Sequence, residues 1–141
     1  MHVEILGCSG SISGDLCTMC LLLDQDILID TGSGAGDLNL AQMVAVNTLL
    51  LTHSHLDHCG FLPLLADAAG NFRDTPLTVY ALPQTIASIK RNILNSEIWP
   101  DYTVLPTPQQ AGHEDDTMQE VLQAAEEFKP QILRRGMVFE F

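Results

Sequence analysis

Six residues constrain this chain more than any others: His53-Ser54-His55-Leu56-Asp57-His58, directly after the apolar run Thr48-Leu49-Leu50-Leu51. Three imidazoles and a carboxylate this close in sequence would repel one another on binding protons and would bury poorly. Imidazole nitrogen and carboxylate oxygen suit zinc and other divalent first-row metals, and a shared cation resolves the crowding. A histidine-rich surface loop is the bland alternative. It does not explain an aspartate at fixed spacing, nor the position at the exit of a strand-like run. The fold must therefore deliver the end of a strand, and the helix after it, to one place.

The segments around the run read as alternating strands and helices. Residues 2–6 alternate like a first strand, and 20–23 with 26–30 flank Asp24-Gln25-Asp26 as a hairpin. Asp30-Thr31-Gly32-Ser33-Gly34-Ala35-Gly36 breaks the second of these; it lacks the full dinucleotide-loop pattern and reads as a flexible loop bordering a site. Asp37 to Ala45 reads as a short helix, and 48–52 as a buried strand whose continuous leucines leave no wet face. Leu56 to Ala69 reads as one helix, 77–82 as a strand, and Pro83 opens a helix to about Asn95. Strands alternating with helices indicate an α/β layered sheet. Residues 103–113 suit a connector. An acidic amphipathic helix follows, carrying Met118, Val121, Leu122, Ala125 and Phe128, and then a terminal strand or hairpin over 132–141.

Composition limits the partners. The 141 residues fit one domain, and an apolar content of 46% can build a core. Eighteen acidic against six basic residues give a net charge of −12, which repels nucleic-acid phosphates and anionic membranes. A small anionic substrate is still compatible, since a bound dication dominates its own site. No apolar stretch reaches the length of a membrane span. Met1-His2-Val3-Glu4-Ile5-Leu6 has no basic leader character, so the cytoplasm is the default location. Cys8, Cys17, Cys20 and Cys59 read as small buried hydrophobes. The redox spacing of Cys17-Thr18-Met19-Cys20 precedes a strand rather than opening a helix, and Cys59 is expected to point near any metal.

Two positions apart in an extended segment, His53 and His55 project to one side and can share an ion. Asp57 and His58, at the start of the next helix, can reach a neighbouring one. Two dications roughly 3.5–4 Å apart share a hydroxide available near neutral pH, which suits hydrolysis of phosphodiesters, thioesters, lactams or lactones.

The run, with Cys59-Gly60 after it, resembles the metal motif of the metallo-β-lactamase superfamily. Leu6-Gly7-Cys8-Ser9-Gly10, Asp26-Ile27-Leu28-Ile29-Asp30-Thr31-Gly32, Gly36-Asp37-Leu38 and Ile98-Trp99-Pro100-Asp101 further resemble the class II-like 3′,5′-cyclic nucleotide phosphodiesterases of bacteria. The resemblance spans about residues 2–106. It implies the N-terminal part of a metallo-β-lactamase-like αββα sandwich, incomplete here. Residues 1–106 would form the N-terminal half, and 107–141 a connector, acidic helix and terminal strand of the same truncated domain. It also implies two Zn2+ in the complete enzyme, with Mn2+ or Fe2+ as substitutes. His53 and His55 would bind the first ion, and Asp57 and His58 the second. Asp57 would also orient or deprotonate the attacking water, as the catalytic residue, and Asp30 would support the ligands from behind. A capping or turn role is the other reading of Asp30.

The implied reaction is metal-hydroxide attack that converts cyclic AMP to 5′-AMP. Thioester, lactone or RNA-end substrates, or a non-catalytic metal-binding fragment, are the alternatives. The family's third histidine, bridging aspartate and last histidine have no counterparts: His2 reads as a solvent-facing terminal residue and His113 as a solvated helix entry. A missing half would leave Leu49 and Leu51 poorly covered, with activity lost and two copies pairing as a homodimer.

Overall fold

The computed structural model describes residues 1–103. Five strands form one mixed sheet among these residues: β1 (Val3–Gly7), β2 (Cys20–Leu23), β3 (Ile27–Ile29), β4 (Thr48–Leu51) and β5 (Thr78–Ala81), in sequential order. The first three are antiparallel neighbours, whereas β3–β4 and β4–β5 are parallel. The hairpin between β2 and β3 turns at Asp24, whose φ of 51° is a left-handed conformation that a short aspartate tolerates. Asp24 is tied down further, because its Oδ1 accepts the His2 backbone N–H at 2.7 Å.

Parallel neighbours need crossovers, and these bring the helices. From β3 the chain passes through a 3-10 turn, Ser33–Asp37, and then α1 (Leu40–Ala45) before β4. Asn39 starts α1 with a capping box: its side chain accepts from the Gln42 N–H, and the Gln42 side chain accepts from the Asn39 N–H. The expected helix from Asp37 is therefore two elements separated by Leu38-Asn39. From β4 the chain passes through α2 (Leu56–Cys59) and α3 (Leu62–Gly70) to β5, and α4 (Pro83–Asn92) follows.

The expected single helix from Leu56 to Ala69 is broken. The Phe61 N–H leaves the helical ladder to bond the Thr31 carbonyl at 2.8 Å, and Pro63, which has no N–H to give, starts the next helix. Helix α4 ends at Asn92, three residues before Asn95.

Leu22, Leu28, Leu49, Leu51, Val79 and Ala81 from the strands pack with Leu62, Leu65, Ile86 and Ile89 from the helices as one core. Two expectations about β4 are corrected here. Leu49 is 0% and Leu51 5% exposed, so these positions are covered. Thr48 and Leu50 alternate with them and are only half-buried, so β4 has one buried face rather than two.

Arg73 locks the crossovers together. Its guanidinium donates to the carbonyls of Val44, Val46, Thr75 and Pro76 and to Asn47 Oδ1, and it is buried without a carboxylate partner among the described residues. Burial pulls its pKa below the ordinary arginine value. Among the described residues, no helix is long and apolar enough to cross a membrane. The connector, the acidic helix and terminal strand, His113 and the boundary at residue 106 lie outside the described residues.

Candidate metal centre

The site forms where β3 and β4, parallel neighbours, end side by side. Asp30 leaves β3 in a left-handed conformation, φ 59°, and its carboxylate bonds to Thr52 and His58. Non-glycine residues rarely adopt this region; aspartate and asparagine tolerate it best. The carboxylate is 1% exposed and fully engaged. Oδ1 accepts the Thr52 N–H at 2.8 Å, and Oδ2 accepts the Thr52 hydroxyl at 2.8 Å and His58 Nδ1 at 2.7 Å.

The backbone carries the same connection. The Thr31 N–H donates to the His58 carbonyl at 2.7 Å, and His58 and Cys59 N–H groups return to the His55 carbonyl at 2.9 and 3.0 Å. The C-terminal side of α2 is thus pinned to the residue after β3, through the His58 carbonyl and the Phe61 N–H on Thr31.

These anchors gather the four expected donors. The His53 ring centroid lies 4.0 Å from that of His58 and 4.6 Å from that of His55. Asp57 Oδ2 lies 3.5 Å from His58 Nε2. His53, Asp57 and His58 are half-buried and His55 is exposed. Partial burial, then the neighbouring His58 and His55 rings, hold the His53 pKa below the ordinary histidine value, which favours the neutral, ligating form.

The donor chemistry fits a divalent ion. With Nδ1 on Asp30, His58 presents Nε2 on the side of the Asp57 carboxylate, 3.5 Å from Oδ2. A nitrogen and a carboxylate oxygen placed together in this way are a ligand pair that suits a divalent ion. The fit is by pairs rather than as a closed cage: among the described residues, no group of three or more His, Cys, Asp or Glu side chains converges on one point.

Asp30 holds ligands and loop together, so the capping reading is the weaker of the two. Cys59 is 0% exposed, and its thiol donates to the Ser54 carbonyl at 3.4 Å, so it ties α2 to the loop that carries the histidines. His2 is exposed, as expected.

The sequence reading missed Thr52, whose hydroxyl stands 3.0 Å from His53 Nδ1 and 3.3 Å from His58 Nδ1 while bonded to Asp30. Its only signal was a hydroxyl residue at the strand exit before the histidines. The glycine loop is also different from expectation, being packed rather than flexible. A Cβ on Gly32 would stand 2.3 Å from the Asp57 carbonyl oxygen and 2.4 Å from Thr18 Oγ1. Thr18 and Ser33 exchange bonds across it, Thr18 N–H to Ser33 Oγ at 2.8 Å and Ser33 N–H to Thr18 Oγ1 at 2.6 Å.

Comparison with known proteins agrees with this architecture. The crystal structure of unliganded yeast PDE1 is similar, with a TM-score of 0.55 and 19% identity over 72% of this chain and 46% of that chain. The likeness supports the metallo-β-lactamase-like fold, and the chain spans less than half the length of the yeast protein. Among curated proteins there is no match. The family model of the class-II cAMP phosphodiesterases matches residues 39–112, more than half of the chain. The chain belongs to the class-II cAMP phosphodiesterase family.

Proposed function

We propose that this chain contributes a divalent-metal site to the hydrolysis of a 3′,5′-cyclic nucleotide, cyclic AMP to 5′-AMP. The carrying observation is the Asp30–Thr52–His58 network, which orients a histidine–aspartate cluster at the strand ends of a class-II phosphodiesterase fold. His53 and His55 would hold one ion and Asp57 and His58 a second, with zinc the expected metal and manganese or iron as substitutes. Divalent ions bound there supply Lewis acidity toward phosphoryl oxygens and acidify water to near neutrality.

The chain's own groups do the rest. Asp30 keeps the proton on His58 Nδ1 and so keeps Nε2 available. The Asp57 carboxylate orients the attacking water and accepts its proton. Addition of that water to phosphorus breaks the bond to the 3′ oxygen, which takes up a proton as it leaves, and the product is a 5′-nucleotide with a free 3′ hydroxyl. The acidic balance of 18 to 6 favours this small substrate over a nucleic acid or an anionic membrane.

Elemental analysis of the folded, unchelated chain, followed by cyclic AMP turnover with zinc or manganese, tests the reading. A metal content that falls in His55→Ala, with 5′-AMP as the product, supports it. A folded sample without stoichiometric metal would sink the site. Metal without turnover, or turnover unchanged in His55→Ala, would sink the activity.

A further inference from the structure

The loop between β1 and β2 carries two thiols that the candidate metal site does not use. Ser9 and Thr18 pair as a parallel bridge, and the Ser9 N–H donates to the Cys17 carbonyl at 3.0 Å. That bond joins the peptide unit after Cys8 to the peptide unit after Cys17, which brings the two cysteine backbones side by side. Hydrogen-bonded peptides of neighbouring segments hold their flanking Cα atoms roughly 5–6 Å apart. Gly7 confirms the close approach, since a Cβ added there would lie 2.9 Å from the Cys17 carbonyl oxygen. A disulfide needs a Cα separation of about 4.4–6.8 Å, so the bond requires only side-chain rotation and a small closure of the strands.

Access separates these two thiols from the others. Cys8 is exposed and Cys17 half-buried, whereas Cys20 and Cys59 are each 0% exposed. Burial, then the charges of Asp30 and Asp37, push the Cys20 thiol up to about 12, so it holds almost no thiolate at neutral pH. The Cys17-Thr18-Met19-Cys20 spacing is therefore a misleading pairing: β2 takes Cys20 into the core, whereas Cys17 stays accessible beside the backbone of Cys8.

We propose that Cys8 and Cys17 form a reversible intramolecular disulfide, a redox latch on the loop bordering the metal site. The oxidant is a low-molecular-weight disulfide such as oxidised glutathione. The thiolate of one cysteine attacks it and releases one reduced glutathione, leaving a mixed disulfide. The thiolate of the second cysteine attacks the protein sulfur of that adduct and releases the other. Two protein thiols lose two protons and two electrons, and the two glutathione thiols carry them away.

The latch closes the exposed loop 9–16 at its base. That base reaches the site through Thr18, which follows Cys17 directly and packs with its neighbour Ser33 against Gly32, itself against the Asp57 backbone. The latch rests on the backbone bond between Ser9 and Cys17 and on exposure, and is independent of the metal reading.

The test is a disulfide map of the full chain equilibrated in glutathione buffers, acid-quenched and alkylated. The latched chain is lighter by two hydrogens, and cleavage before Asp15 and Asp24 releases residues 1–14 still joined to 15–23. Fragmentation between Cys17 and Cys20 assigns the sulfur. Cys8→Ser and Cys17→Ser, at accessible positions, each abolish the joined peptides. A bond to Cys20, a bridge between two chains, a glutathione adduct that persists on Cys8 or Cys17, or two thiols still reduced in the oxidising buffer would each overturn the proposal.

Discussion

Asp30 shows how much one side chain can organise when its backbone is committed to an unusual conformation. Its two oxygens accept three hydrogen bonds from Thr52 and His58, and its left-handed φ is what points them there. Asparagine tolerates the same φ, so Asp30→Asn isolates the chemistry from the backbone. The amide keeps an oxygen for the Thr52 N–H but turns an NH2 toward the Thr52 hydroxyl and His58 Nδ1. Donor then meets donor, and the ring loses the partner that fixed its tautomer. Metal affinity is expected to fall about 10–100-fold, with the protein still folded. Competition with a chromophoric chelator measures it, and an unchanged affinity would remove Asp30 from the site's support.

Gly32 makes a complementary point, because its role is steric. The Asp57 carbonyl and Thr18 occupy the space a Cβ needs, so Gly32→Ala must move the 3-10 turn or α2. The expected cost is about 1–3 kcal/mol by denaturant unfolding, together with weaker metal binding because Asp57 moves.

Among the elements, strands and helices differed in how far the sequence revealed them. The five strands were visible because each is a short apolar run bounded by turn residues, and the β2–β3 hairpin was marked by Asp24-Gln25-Asp26. The division between α2 and α3 was hidden, although Pro63 was in plain view, because the deciding partner is the distant Thr31 carbonyl. The four candidate donors were legible as a contiguous run and Asp30 as their support; that Asp30 reaches them through Thr52 was not, because only the parallel β3–β4 pairing brings the two strand ends together.

Arg73 was hidden for the same reason, as nothing near it in sequence announces carbonyl partners at Val44 and Val46. It satisfies the chain end of α1, the start of β4 and the loop before β5 at once. Arg73→Met keeps apolar bulk but leaves several buried carbonyls unpaired. The expected loss is about 3 kcal/mol in a urea titration, on the order of one to two orphaned buried groups. Arg73→Lys, with fewer donors and no planar fork, should fall between. A loss below about 0.5 kcal/mol in Arg73→Met would mean that water takes over these carbonyls.

At the scale of the whole molecule, the net charge of −12 acts on stability and on metal binding through different physics. Diffuse repulsion among acidic side chains opposes the compact state and weakens as salt shortens the Debye length, from roughly 30 Å at 0.01 M to about 3 Å at 1 M. Raising sodium chloride across that range should therefore raise the Tm of the metal-free chain by a few degrees, on the order of 1 kcal/mol. A divalent ion could mimic this simply by screening. A ligated ion behaves differently, because it stabilises the folded state by mass action through His53, His55, Asp57 and His58, with little dependence on salt. The two contributions separate in one experiment. Stoichiometric zinc should raise the Tm in low and in high salt alike, and the increment should be lost in His55→Ala. A zinc increment that vanishes in high salt, or survives the substitution, would assign the effect to the acidic surface and leave the histidine cluster without a tightly held ion.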